Sequence, residues 1–166
     1  TLKEAYQDMW EIGQSREFAV AERLEAAGFD VEFVGFGAGS TEYLEGDGQD
    51  NGYEKGAFDL YIPEKDAYVE VTGTDKPVSP DQPIWVRPDK IERIVARPES
   101  GMYVVHVLDQ HDLFRAVDLG PVVAKHVLAQ YQRRVRTVFY GNEEEYVEIL
   151  PTDPWVKPLS ALIESL

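Results

Sequence analysis

Asp59 and Glu70 are the residues of this chain best able to do chemistry together. They lie in Phe58-Asp59-Leu60-Tyr61-Ile62 and Ala67-Tyr68-Val69-Glu70-Val71-Thr72, two runs that read as short strands. Pro63-Glu64-Lys65-Asp66 between them reads as a turn. A two- or four-residue loop centred between Glu64 and Lys65 sets Asp59 directly opposite Glu70, whereas a three-residue loop shifts the pairing by one. Opposed side chains have Cβ atoms about 5 Å apart, and like charges there repel. A bridging cation removes that repulsion, and carboxylate oxygens suit hard divalent ions such as Mg²⁺. Tyr68, Glu70 and Thr72 face one way, Val69 and Val71 the other. Apolar neighbours make this strand read as mostly buried, and a buried Glu70 has to be paired or metal-bound. On an edge strand it would simply be a solvated glutamate.

Two further groups of charges have a pattern. Glu17 precedes Val20, Ala21 and Leu24 by three, four and seven, so it shares their apolar helical stripe. It is a third candidate acid, although a first-turn glutamate also suits the helix dipole. Lys90, Arg93 and Arg97 recur at helical spacing, opposite Ile91, Ile94 and Val95. Three cations in line could follow a phosphate backbone, or form an ordinary solvated face beside Glu92. Arg133, Arg134 and Arg136 make a second, smaller cluster.

These residues need elements to hold them. Residues 3–12 read as a helix. Ser15 is a candidate N-cap for a second helix at 16–27 that Gly28 ends. Phe29 to Val34 alternates as a strand. Residues 35–56 hold seven glycines and read as a long loop. After the hairpin, residues 73–88 with four prolines form a connector. Pro88-Asp89 opens a helix to about Arg97, and Met102 to Leu108 is a β-branched strand. Residues 110–118 and 121–131 read as short helices. Val135–Tyr140 and Tyr146–Leu150 read as a hairpin around Gly141-Asn142, and 158–166 as an amphipathic helix. The order implies an α/β fold, a mixed sheet with helices on its faces. One domain over 1–166 is expected, with a core at about 13–108 and a helix-hairpin extension at 109–166.

Composition sets limits. The chain has 166 residues, 43% of them hydrophobic, which suits a globular domain rather than a disordered one. It has no cysteine, which excludes disulfides, thiolate catalysis and Cys-based zinc sites. Its net charge is −15, from 16 Lys and Arg against 31 Asp and Glu. That argues against a generic nucleic-acid coat but not against an enzyme with a local basic patch. It also suits solubility in a salty cytoplasm. No apolar run approaches a membrane span, so no membrane partner is expected. The opening Thr1-Leu2-Lys3-Glu4 lacks a signal-peptide pattern, and the expected location is cytoplasmic.

With these residues in view the chain resembles a known family. The segments "SREFAVAERLEAAGFDVEFVG", "FDLYI", "YVEVTG", "PDKIERIV" and "MYVVHV" resemble the PD-(D/E)XK nuclease superfamily, which includes archaeal Holliday-junction resolvases and restriction-type endonucleases. The resemblance implies a restriction-endonuclease-like fold, a central mixed β-sheet flanked by α-helices. It implies Mg²⁺-dependent hydrolysis of phosphodiesters in DNA, with Mn²⁺ as a substitute ion. Asp59, Glu70 and the Val71 carbonyl would hold the metal, and Glu17 would match the helical acid that supports the site. Nucleic acid would be the partner, and a homodimer is one assembly open to such a protein. Ala57 stands where the motif has proline. Thr72 stands where the family has its lysine, so Lys76, four residues on, or Lys90, on the next helix, would have to supply the ammonium. Failing that, the fold would serve as an inactive binding or assembly module. An acidic protein-interaction module is a third reading.

Other signals lead nowhere. Gly35-Phe36-Gly37-Ala38-Gly39-Ser40 misplaces the third glycine of a dinucleotide loop. The Asp47–Gly52 run lacks the closing glutamate of a calcium loop, since Phe58 stands there. His106, His111 and His126 lack zinc spacing, and the three tryptophans are scattered.

Overall fold

The computed structural model describes residues 2–35, 58–137 and 141–166. The glycine-rich loop, the Asp47–Gly52 run, Ala57 and the end of the 135–140 strand lie outside the described residues.

Helix α1 spans Leu2–Ala26 without a break. Two helices were expected, but Ser15 caps nothing and lies exposed inside one long helix. No proline interrupts the segment, and the single Gly13 within it costs only about 1 kcal/mol. The helix ends at Gly28, whose φ of +97° is the left-handed region. The Phe29 N–H donates to Leu24 O and the Gly28 N–H to Glu25 O, the paired closure of a Schellman motif. Val20, Ala21 and Leu24 are fully buried beneath it, worth about 1.5–3 kcal/mol for each large side chain.

The main sheet has six strands in the order β1-β2-β3-β5-β6-β9. β1 (Glu32–Phe33) pairs antiparallel with β2 (Leu60–Ile62), and β2 with β3 (Ala67–Thr74). A 3₁₀ turn at Pro63–Lys65 and Asp66 in the left-handed region join that hairpin. β3 then pairs in parallel with β5 (Gly101–Leu108). The crossover between them carries β4 (Ile84–Val86) and α2 (Pro88–Ala96). β6 (Leu113–Val117) and β9 (Val156–Pro158) complete the sheet antiparallel. A smaller sheet has the order β4-β8-β7, from β7 (Arg133–Thr137) and β8 (Glu143–Ile149). Helices α3 (Gly120–Gln130) and α4 (Leu159–Ser165) make up the rest.

Several expectations are corrected. Residues 110–118 are a 3₁₀ turn and strand β6, not a helix. Burial explains the misreading: Arg115, Ala116 and Val117 are consecutively buried, which erases the period-two signal. The 73–88 connector holds β4, whose Ile84 and Val86 enter the core. The 29–34 strand pairs only at Glu32–Phe33. β6 and β9, from the stretch expected to be an extension, are strands of the main sheet.

The sheet separates two apolar cores. One contains Val20, Leu24, Leu60, Val69, Val105 and Leu162, beneath α1 and α4. The other contains Phe58, Ile91, Ile94, Val104, Val127 and Ile149, beneath α2, α3 and the small sheet. Phe58 and Leu60 are two apart yet enter different cores, because the chain bends at Asp59. Among the described residues no helix is long and apolar enough to cross a membrane.

Candidate active site

The bend puts Asp59 at the sheet's margin, and the backbone holds it there. Its N–H donates to Val69 O at 3.1 Å, and its own carbonyl accepts the N–H groups of Val34 and Gly35 at 2.9 and 3.3 Å. The Val71 N–H donates to Asp59 Oδ2 at 2.8 Å. The ladder runs Leu60↔Val69, Tyr61↔Tyr68, Ile62↔Ala67, the register of a turn centred between Glu64 and Lys65; it stops at Leu60, and Asp59, at the bend, donates to Val69 instead of pairing squarely with Glu70.

Glu70 stands on β3 with its side chain 14% exposed, facing the α2 layer. Lys90, in the first turn of α2, is equally enclosed at 11%, and its Nζ is 3.2 Å from Glu70 Oε2. That oxygen is buried, and the Lys90 ammonium is its ion-pair partner. The Lys90 ammonium also lies 5.9 Å from the centre of the Phe58 ring. A cation near a helix N-terminus is disfavoured by the dipole. Burying it there is tolerated because three acids face it.

The third acid is Glu17, reaching from α1 on the other side. Burial, and then the Asp59 charge and a hydrogen bond with Asp59, push its carboxyl up to about 8, with Lys90 opposing. Burial also raises Asp59, while the Val71 N–H and Lys90 pull it back. Glu70 is held well above the usual carboxylate range by burial and then by Asp59, again opposed by Lys90. Asp59 adds to the rise at both glutamates, and Lys90 opposes the rise at all three acids. Three acids thus lie around one lysine.

The other expected site residues fall elsewhere. Thr72 follows Glu70 on the same face, half-buried beside His106 of β5. Val71 joins the site through its N–H. Lys76 is exposed in the connector, and the cation acting on all three acids is Lys90. Lys90 is therefore not part of an exposed stripe with Arg93 and Arg97, which are half-buried and engaged in contacts of their own. Sequence reasoning missed the Phe58 ring and the Val34 and Gly35 amides. The adjacency of Phe58 to Asp59 was the only signal for the ring.

Among the described residues no three His, Asp or Glu side chains converge as one metal-holding group. Asp59 instead pairs with one glutamate from each layer. Taken as a whole, the chain matches a solved structure from Archaeoglobus fulgidus, Hjc, a Holliday junction resolvase from an archaeal hyperthermophile. The match covers 92% of this chain and 95% of that one, with a TM-score of 0.50 and 13% identity.

The two chains share a fold.

At that identity the likeness is one of fold. No protein-family model matches the chain, and no curated protein matches it. On that shared fold this chain carries its acids on α1, at the bend before β2 and on β3, and its enclosed lysine on α2.

Proposed function

We propose that the chain is a divalent-metal-dependent nuclease that hydrolyses phosphodiester bonds in DNA, with Asp59 and Glu70 as ligands of Mg²⁺ or Mn²⁺. The observation that carries the reading is the enclosure of Asp59, Glu70 and Glu17 around a single ammonium, on a fold shared with a Holliday junction resolvase.

The acids fit such an ion. The buried Glu70 carboxylate already faces one cation, Lys90 Nζ at 3.2 Å from Oε2, and carboxylate oxygens also suit a hard divalent ion. Mg²⁺ needs only one or two carboxylates and keeps several waters, so two acids and the Val71 carbonyl suffice. When bound, the ion would neutralise phosphate charge and lower the pKa of a coordinated water. Lys90 stands in for the lysine missing at Thr72: its ammonium is fixed beside Glu70 and stabilises negative charge developing on the phosphoryl oxygens. Glu17 stands beside Asp59, where burial and then the Asp59 charge raise its carboxyl. Arg93 and Arg97, next on α2, would contact the strand's phosphates.

Cleavage of a Holliday junction, a linear duplex and single-stranded DNA with Mg²⁺ tests the reading. Wild type should cut at least one form, and Asp59→Ala none. Binding without cutting would mark an inactive binding module, and neither binding nor cutting would refute both.

A second readout does not depend on activity. Mg²⁺ at about 100 times its Kd should stabilise the folded chain by about 2.7 kcal/mol. At this chain length that raises Tm by about 5–10 °C. Asp59→Asn should lose the rise, and an equal rise in both proteins would remove Asp59 from the metal site.

A further inference from the structure

The small sheet presents an outer face away from its core. β4 buries Ile84 and Val86 and turns Trp85 outward. β8 buries Val147 and Ile149 and turns Glu144, Tyr146 and Glu148 the same way. The register sets Arg136 against Glu144, Arg134 against Tyr146 and Trp85 against Glu148. β7 is the edge strand, with three arginines in five residues of a chain of net charge −15.

The three arginines are not equivalent. Arg133 donates to Glu145 and to Leu128 O. Arg134 donates through Nε to Glu148 at 2.6 Å. Arg136 lies over the Trp85 ring, its guanidinium carbon 4.4 Å from the ring centre. The acid opposite it, Glu144, accepts the Tyr146 hydroxyl instead. Burial and that bond push the Tyr146 phenol up to about 12, so it stays a donor at neutral pH. The contact described for the Arg136 guanidinium is the face of that ring.

A guanidinium stacked on an indole has lost much of its rotamer freedom while keeping its planar fork of donors. Such a fork matches phosphate oxygens in pairs. Its place also fits: β4 runs through Arg87 directly into α2, so Trp85 is five residues upstream of Lys90. We propose that Arg136, held by Trp85, binds a backbone phosphate of the DNA outside the cleavage site. This rests on the nuclease reading, which supplies the DNA.

The test is binding of a labelled Holliday junction and a labelled duplex, by fluorescence anisotropy in Ca²⁺ across a salt series. Arg136→Gln should lower the slope of log affinity against log salt by about one. Arg133→Gln, whose donors are already committed, should leave it unchanged. Arg136→Lys should keep the slope but bind more weakly, since charge survives and the fork does not. With Mg²⁺, Arg136→Gln should raise KM and leave kcat unchanged. Wild-type slope in Arg136→Gln, or the same loss in Arg133→Gln, overturns the assignment and leaves the nuclease reading intact. A wild type that binds no DNA, or binds only RNA, overturns both.

Discussion

Lys90→Met should slow single-turnover cleavage of DNA with Mg²⁺ by about 10²-fold or more, the usual cost of losing one charge-stabilising group. Lys76→Ala should cut at the wild-type rate. The physical difference is position: Lys90 Nζ is 3.2 Å from Glu70 Oε2 in an enclosed site, while Lys76 is exposed in the connector. Methionine keeps the length and apolar stem of lysine and removes only the charge, so the packing on Phe58 should survive. Thr72→Lys added to Lys90→Met should restore part of the rate, because residue 72 emerges two positions on from Glu70 on the same face. If Lys90→Met cuts like wild type, or Lys76→Ala loses as much, the ammonium does not come from α2.

Gly73→Ala should lower stability by about 3 kcal/mol or more, in the range of severe overpacking. A Cβ at this position would lie 2.3 Å from the Val107 carbonyl oxygen and 3.1 Å from Cδ and Nε of Arg16. The first of these is backbone of the parallel partner strand and cannot swing away. The second would disturb a guanidinium that holds Asp109 at 2.8 Å. At this chain length the expected fall in Tm is about 6–12 °C. Gly13→Ala is the contrasting control, since its Cβ would meet nothing within 4 Å. That change sits inside α1 and should stabilise by about 0.5–1 kcal/mol. Equal melting of Gly73→Ala and wild type would show that β3 and β5 part at no cost.

How much of this was legible before the structure follows from which signals are local. The hairpin register was legible, because a turn centred between Glu64 and Lys65 fixes every pair after it. The α2 start at Pro88 was legible from its proline. The end of α1 was legible from Gly28. The approach of Lys90 to Glu70 was not, because it depends on how α2 docks over the sheet, and spacing within α2 fits a solvated stripe equally well. Strands β4 and β9 were invisible because three residues are too few to show a period. The joining of Glu17 to the site was only half legible. Its helical stripe was visible, but reaching Asp59 depends on the bend between Phe58 and Leu60.

That bend has a consequence for the order of assembly. Phe58 and Leu60 anchor in opposite cores, so Asp59 takes its position only when both cores have formed. Glu17 arrives with one layer and Lys90 with the other. A nascent or partly unfolded chain that has built a single layer therefore holds at most a fragment of the site. On the proposed nuclease reading this is an interlock: hydrolytic competence would be tied to complete folding.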